Sequence, residues 1–251
     1  MSIWGKVIGG WAGFAIGGPL GAILGVAAGH AIDKSKNKRN ADGFSENLDA
    51  QQIAFTSAVI VLCAKMAKAD GHVTPDEISV FKRIFHIPAE EQENVGKLFN
   101  EARREVAGFE RYATQIASLF SQKPSVLEEI LGALFSIAKA DGVIHEKELE
   151  FLKSVASIFG FSESKFLRLK ATYINVDREG ESQEKPYEVL GISRESSDAD
   201  IKKQYRKLIQ NYHPDKLMAH GVPQEFIDLA NEKMATINSA YDKIERERGL
   251  K

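Results

Sequence analysis

The sequence predicts an all-α protein in three parts: an apolar N-terminal helix, a helical bundle with an internal duplication, and a C-terminal helical hairpin. Three observations support this. Val7 to Ile32 contains no charged residue apart from His30, residues 51–175 repeat apolar residues at helical spacing with almost no strand pattern, and two amphipathic patterns near the C-terminus flank a proline. The predicted boundaries are 1–33 for the apolar segment, 34–50 for a basic and polar linker, 51–175 for the bundle, 176–184 for a second linker and 185–251 for the hairpin domain.

The composition narrows the function classes. A chain of 251 residues admits one or two domains with appendages, and a net charge of −2 gives no case for nucleic-acid binding. The single cysteine, Cys63, excludes an internal disulfide framework and a multi-cysteine zinc site, and its apolar surroundings predict a small buried side chain. The sequence contains no nucleophile–base pair, phosphate loop or metalloprotease motif. We therefore predict neither enzymatic activity nor a cofactor.

The N-terminal apolar segment is long enough to cross a membrane. At about 1.5 Å per residue it spans an apolar core of about 30 Å with some tilt. A glycine at every fourth position forms a continuous ridge on a helix, where a second helix can approach closely, so we expect dimerisation or another close helix contact. The alternative is that glycine is simply tolerated in lipid. The ridge consists of Gly5, Gly9, Gly13, Gly17, Gly21, Gly25 and Gly29.

The orientation of this segment follows from charge. Basic residues follow the segment directly, which by the positive-inside rule places the rest of the chain in the cytoplasm and the N-terminus in the periplasm. They are Lys34, Lys36, Lys38 and Arg39. A single span is favoured, although Gly17-Gly18-Pro19 leaves a kink or a re-entrant hairpin open. A cleaved signal peptide is the other alternative, and the regular glycine ridge is unlike its apolar region.

The bundle contains an internal repeat. The sequence Ala67-Lys-Ala-Asp-Gly-His-Val-Thr-Pro-Asp-Glu-Ile78 matches Ala138-Lys-Ala-Asp-Gly-Val-Ile-His-Glu-Lys-Glu-Leu149. An apolar helix precedes each copy and an amphipathic helix follows it. The glycine of each copy, Gly71 or Gly142, can adopt the left-handed turn that ends a helix. Thr74 with Glu77, or the acidic residues after Ile144, then begin the next helix.

This repeat resembles the TerB-like domain, a helical fold associated with tellurite resistance. The resemblance implies acidic residues at the two turns, where a metal could bind. The matching positions are Asp70, Asp76, Glu77, Asp141, Glu146 and Glu148. Their spacing is not that of an EF-hand loop, and carboxylates near helix N-termini are favoured without any ion. Helix capping is therefore the favoured interpretation, with a metal site as the alternative.

The C-terminal region combines several short patterns. Tyr187-Glu-Val-Leu-Gly-Ile192 precedes an amphipathic helix that Asp198 can cap. Pro214 cannot continue that helix, so His213 marks the break. A second amphipathic helix follows. The apolar face of the first helix comprises Ile201, Tyr205, Leu208, Ile209 and Tyr212, and that of the second comprises Phe226, Leu229, Ala230, Met234, Ile237 and Tyr241.

These patterns together resemble the J-domain of DnaJ-type co-chaperones. The resemblance implies that the tip and one basic helix face dock on the ATPase domain of a DnaK-type chaperone and stimulate ATP hydrolysis there. It assigns this role to His213, Pro214 and Asp215 at the tip, and to Lys202, Lys203, Arg206 and Lys207 on the face. By itself, such a basic face would as readily be an ordinary solvated surface.

The order of the three parts resembles the DjlA type of membrane-anchored DnaJ-like co-chaperone. The resemblance implies an inner-membrane protein, dimeric through its span, that recruits a DnaK-type chaperone to clients near the membrane. The TerB-like domain would bind clients or a regulator. Two alternatives remain open: an envelope-stress sensor whose TerB-like domain binds a cation or a regulatory partner, and a scaffold that uses the J-domain only for docking.

Overall fold

The computed structural model describes residues 42–70, 74–103, 108–174 and 185–250, and every regular element in these ranges is helical. The all-α prediction is confirmed for this part of the chain. The helices are α1 Asp42–Asp70, α2 Pro75–Phe85, α3 Gln92–Ala102, α4 Phe109–Leu119, α5 Pro124–Ala138, α6 Glu146–Ile158, α7 Glu163–Ile174, α8 Lys185–Leu190, α9 Asp198–Asn211, α10 Pro214–Ala219 and α11 Ile227–Arg248, with 3₁₀ turns at Ala89–Glu91 and Gln224–Phe226.

Two helices, α1 and α5, form the centre of the bundle. Every side chain from Ile53 to Ala67 in α1 is buried, and so is nearly every side chain of α5. Helix α1 packs against α3, α4, α5 and α6. A helix that is apolar around its whole circumference needs neighbours on all sides, and this explains their central position. Cys63 is buried in α1, as its apolar surroundings predict.

The turns after these two helices have the same capping geometry. The Thr74 amide donates to Glu77 Oε2 at 2.7 Å, and the Glu77 amide donates to Thr74 Oγ1 at 3.1 Å. At the equivalent positions of the second copy, the His145 amide donates to Glu148 Oε2 at 2.9 Å. Gly142 has a φ of 89°, as a left-handed turn requires. The helix starts predicted from the repeat are therefore confirmed.

The C-terminal domain is built on the predicted hairpin. Helices α9 and α11 pack together, and α8 lies against α11. The rings of Tyr205 and Tyr241 stack with centroids 4.0 Å apart. One expectation is wrong in detail. Ser197 caps α9 by accepting from the Asp200 amide at 3.2 Å, so Asp198 is the first residue within the helix. Helix α11 continues unbroken to Arg248.

Several predictions concern the ends of the described ranges. Helix α1 begins at Asp42, inside the segment 34–50 that was predicted to be a linker, because residues 46–51 are mostly good helix formers. The single span, the re-entrant hairpin and the glycine ridge lie outside the described residues, and so does the linker 176–184. Within the described ranges, no helix combines the length and apolar character needed to cross a bilayer.

Candidate functional site

The break between α9 and α10 exposes the predicted tripeptide. His213 caps α10: its Nδ1 accepts from the Asp215 amide at 3.3 Å, and its carbonyl accepts from the Lys216 amide at 3.0 Å. Pro214 occupies the first turn of α10. Amides there have no acceptor within the helix, so the amide proton that proline lacks costs no hydrogen bond. The side chains of His213 and Asp215 are 55% and 83% exposed. The turn therefore presents an imidazole and a carboxylate to solvent.

The predicted basic residues lie on one face of α9. Positions i and i+4 of a helix are neighbours, as are i+1 and i+5, and the structure exposes Lys203, Arg206 and Lys207 while Lys202 is half-buried. On the opposite side of the same helix, Ile201 and Leu208 are buried in the core of the domain. The structure therefore brings the basic side chains together on the helix that leads to the tripeptide.

Tyr212, the residue before the tripeptide, is bound to the TerB-like bundle. Its side chain is buried, and its hydroxyl donates to Glu128 Oε2 of α5. Arg168 of α7 contacts both partners, with its Nη2 at 3.0 Å from the Tyr212 hydroxyl and 2.9 Å from Glu128 Oε2. A charge-assisted bond with two partners fixes direction as well as distance.

A buried lysine of α11 completes this arrangement. The Lys233 Nζ lies 2.8 Å from Glu129 Oε1 and 3.9 Å from Glu128 Oε2, and it sits 3.6 Å from the centre of the Tyr212 ring. Lys165 lies at the edge of this arrangement, and its Nζ is 2.7 Å from the other carboxylate oxygen of Glu128, Oε1. We call this set the buried charge cluster; it consists of Glu128, Glu129, Lys165, Arg168, Tyr212 and Lys233.

The cluster changes the acidity of its members. Burial opposes ionisation of Glu128, but Lys233, Arg168 and a third cation outweigh burial and lower the pKa of Glu128 to about 2. Burial raises the pKa of Glu129 despite its bond to Lys233, and the neighbouring Glu128 charge adds to this rise. Burial and the Glu128 carboxylate raise the pKa of Tyr212. Glu128 is thus an anion at neutral pH, and Tyr212 retains its proton as a donor.

The C-terminal domain also shares an apolar core with the bundle. Phe226 packs edge-on against Phe55 of α1 at 4.6 Å and against Phe85 of α2 at 5.1 Å between ring centroids. Lys123 joins the two parts by donating to the carbonyl of His220 at 3.3 Å. The other C-terminal residues buried in the bundle core are Leu217, Val222, Leu229 and Ala230. The apolar stripe predicted for the second helix is therefore divided between two cores.

Sequence reasoning did not identify the buried charge cluster. One signal was present in α5, where Glu128 and Glu129 interrupt an otherwise apolar run. A second was Lys233, which falls between Leu229 and Ile237 on the apolar side of its helix. Charged residues on an apolar face are rarely buried without partners. The sequence does not show which partners those are.

The acidic candidates at the two turns act mainly on backbone groups. Glu77 and Glu148 close the two capping arrangements, and Asp141 Oδ1 accepts from the Val143 amide at 3.0 Å. Asp76 and Glu146 are exposed in the first turns of their helices. The side chain of Asp70 lies outside the described part. Within that part, no three histidine, cysteine or acidic side chains are arranged to hold a metal ion.

The bundle has an open cavity of about 330 Å³ between α1, α2, α3 and α5. Its walls are mostly apolar, with Phe81 and Phe99 as the largest side chains. Lys82 and Arg103 are exposed charged residues that also line it. This cavity can accept apolar groups of a partner.

Comparisons with known proteins give three family matches along the chain. Residues 1–41 match the Co-chaperone DjlA transmembrane domain, residues 56–171 match the Tellurite resistance protein TerB family, and residues 185–248 match the DnaJ domain. The chain is 31% identical to the Co-chaperone protein DjlA of Photobacterium profundum over 99% of its length and 100% of that relative. It is 32% identical to the protein of the same description from Aliivibrio fischeri, with both chains fully covered. No solved structure matches it.

These relatives align with the chain from end to end, and the three domain matches follow in the order that the sequence predicts. The N-terminal match makes the chain a membrane protein, and the C-terminal match makes it a DnaJ-type co-chaperone with a J-domain for a DnaK-type partner. The chain therefore belongs to the family of DjlA co-chaperones.

Proposed function

We propose that this chain stimulates ATP hydrolysis by a cytosolic DnaK-type chaperone through His213, Pro214 and Asp215. The observation that carries the proposal is the exposed tripeptide, which stands at the end of the helix that bears Lys203, Arg206 and Lys207. Hydrolysis takes place on the partner, and the chain itself contributes binding groups rather than catalytic ones. The imidazole and carboxylate of the tip contact the partner only once the basic face has docked.

Electrostatic attraction orients this encounter. A basic helix face steers an acidic partner surface, and this raises the association rate and sets the orientation more than it adds affinity. Because the basic side chains are long, they can contact the partner in slightly different docking orientations. The tip then supplies the specific contacts. We therefore assign the association rate to the basic face of α9, and the stimulation of ATP hydrolysis to the turn that follows this helix.

We further propose that the N-terminal segment holds the J-domain on the cytoplasmic side of the inner membrane. Lys34, Lys36, Lys38 and Arg39 support this orientation by the positive-inside rule. Tethering raises the concentration of the recruited chaperone around membrane-proximal clients. The ridge of glycines from Gly5 to Gly29 supports pairing of two chains within the bilayer.

The test is His213→Gln in the full chain, reconstituted in phospholipid nanodiscs with a purified DnaK-type chaperone. We expect the wild type to raise steady-state ATP hydrolysis and His213→Gln to lose about tenfold or more of that stimulation, because a central contact of this kind is commonly worth more than about 1.4 kcal/mol. The matched control is His145→Gln, which changes an exposed histidine of the bundle and should stimulate like the wild type.

Equal stimulation by His213→Gln and the wild type would remove the tip from the mechanism. Absence of stimulation by a folded wild type with its cognate chaperone would reject the co-chaperone activity as proposed. In that case the J-domain would serve as a docking module of a scaffold. Circular dichroism of each variant establishes that the helices remain folded.

A further inference from the structure

We propose that the TerB-like bundle positions the tip of the J-domain, with Tyr212, Glu128 and Arg168 as positioning residues. This inference rests on the proposed function, because the positioned groups are His213 and Asp215. It assigns the TerB-like domain a direct part in chaperone stimulation, in addition to any client that it binds. The buried charge cluster is the physical link between the two domains.

The first argument comes from the two residues that flank the exposed turn. Tyr212 precedes it and is 1% exposed, while Leu217 follows it and is fully buried. The Tyr212 hydroxyl is held by Glu128 and Arg168 of the bundle, and Leu217 lies in the apolar core of the bundle. The exposed tripeptide therefore spans the gap between two fixed points. Movement of Tyr212 or Leu217 relative to α9 would reorient the imidazole and the carboxylate of the tip.

The second argument concerns the chemistry of the cluster. Apolar residues of similar volume often stabilise a protein as well as a buried ion pair does, or better, so stability alone is a weak reason for these charges. Hydrogen bonds to a guanidinium and a carboxylate have defined directions, which apolar contacts lack. Arg168 contacts Glu128 and Tyr212 at once, at 2.9 Å and 3.0 Å. This geometry specifies the position of the tyrosine ring and hence of the following residue.

The third argument is the number of elements that meet at the cluster. Glu128 and Glu129 come from α5, Arg168 comes from α7, and Lys233 comes from α11. Gly191, in the turn after α8, packs so closely on Arg168 that an added Cβ would lie 2.5 Å from its Cδ. The aliphatic part of the Arg168 side chain is thus confined from the J-domain side as well. A shift of α5 or α7 would therefore be transmitted to the end of α9.

Tyr212→Phe tests this inference, with Tyr205→Phe as the matched control. Both variants remove one hydroxyl from α9 or its cap. The Tyr205 hydroxyl donates within the J-domain, to Asn238 Oδ1 at 3.0 Å, whereas the Tyr212 hydroxyl donates to the bundle. The full chain is reconstituted in nanodiscs and titrated against a DnaK-type chaperone. The titration yields the maximal stimulation and the concentration that gives half of it.

We expect Tyr212→Phe to lower the maximal stimulation about fivefold, as loss of a charge-assisted hydrogen bond allows, with the half-maximal concentration unchanged within about twofold. Tyr205→Phe should leave both values at the wild-type level. A merely structural role would produce a different pattern. If part of the protein were unfolded, the active concentration would fall, so the half-maximal concentration would rise while the maximum stayed the same.

Hydrogen exchange provides a second readout that needs no chaperone. The amides of Lys216 and Leu217, which donate to the carbonyl of His213, should exchange several-fold faster in Tyr212→Phe and not in Tyr205→Phe. Wild-type maximal stimulation by Tyr212→Phe would overturn the inference and leave the proposed function intact. An inactive wild type would overturn both. Unaltered exchange in Tyr212→Phe would also overturn the inference, because the tip would then be held without the cluster.

Discussion

Glu128 illustrates how one buried side chain depends on its surroundings. Burial by itself raises the pKa of this carboxyl, but the cations around it outweigh burial and lower the pKa from 4.5 to about 2. A group whose pKa is lowered by folding contributes stability that is fully present above its unfolded value. That contribution is lost as the pH falls from about 4.5 through about 2. The neighbouring Glu129 has a raised pKa and acts in the opposite sense.

Glu128→Gln should therefore change both the stability and its dependence on pH. At pH 7 we expect a loss of about 3 kcal/mol in the free energy of unfolding, because Arg168 remains buried without its carboxylate partner. Between pH 4.5 and 2 the variant should lose less stability than the wild type. Urea unfolding of the fragment 42–251, followed by circular dichroism at several pH values, measures both effects.

The control for this prediction is Glu163→Gln. Glu163 pairs with Lys153 at 3.0 Å on the surface, where most of the attraction is screened, so we expect a change below about 1 kcal/mol. Between pH 4.5 and 2, its stability should fall as that of the wild type does. If Glu128→Gln and the wild type lost equal amounts of stability between pH 4.5 and 2, Glu128 would not be ionised in the folded protein.

The exposed tripeptide could be predicted from the sequence, whereas the charge cluster could not. His213, Pro214 and Asp215 are neighbours in the chain, and a proline fixes the helix break locally. Lys233 and Glu129 are 104 residues apart, and their contact depends on how α11 packs on α5. A local pattern shows that a charged residue lies on an apolar face, but only the tertiary fold selects its partner.

At the scale of single helices, local patterns were reliable where the interaction spans one turn. Thr74 and Glu77 are three residues apart, and the sequence alone predicts their mutual capping. Helix α11 shows the limit. Its apolar stripe was predicted correctly, yet Phe226 faces the bundle while Ile237 faces α9. Helical periodicity identifies a buried face but does not identify the element that buries it.

The contact between α5 and α7 is close enough to test with one methyl group. An added Cβ at Gly132 would lie 2.2 Å from the Tyr173 hydroxyl, and the Tyr173 ring is buried beside Phe135. We expect Gly132→Ala to lower the free energy of unfolding by about 1–3 kcal/mol, because the ring has little room to move. Urea unfolding of the fragment 42–251 measures this loss.

Gly96→Ala makes the same chemical change where there is space. Gly96 lies within α3, and an added Cβ would meet nothing within 4 Å. Alanine is the better helix former, so this variant should gain about 0.5–1 kcal/mol. The two substitutions are thus expected to have opposite signs. A gain at Gly132 would mean that α5 and α7 are farther apart than this close contact requires.

At the scale of the whole molecule, contacts between the J-domain and the bundle predict that the two domains unfold together. The aromatic contacts of Phe226 and the buried charge cluster both lie between the J-domain and the bundle. Shared burial of this kind couples the unfolding of neighbouring parts. We expect the fragment 42–251 to unfold in one calorimetric transition.

Phe226→Ala should uncouple the domains. The substitution removes a ring that contacts Phe55 and Phe85, and we expect a loss of about 3–5 kcal/mol. The J-domain should then melt at a lower temperature than the bundle, giving two calorimetric transitions. Phe161→Ala, at a half-buried position within the bundle, should lower a single transition without splitting it. Two transitions in the wild type would show instead that the J-domain and the bundle unfold separately.

The early start of α1 has a consequence for where the chaperone can work. If the membrane segment ends near residue 33, only about eight residues separate it from Asp42, and an extended chain of that length reaches at most about 30 Å. The J-domain is fixed to the bundle that α1 organises. Under the function proposed above, the recruited chaperone would therefore act at a limited height above the bilayer. Clients close to the membrane surface would then lie within its reach, and proteins deep in the cytoplasm would not.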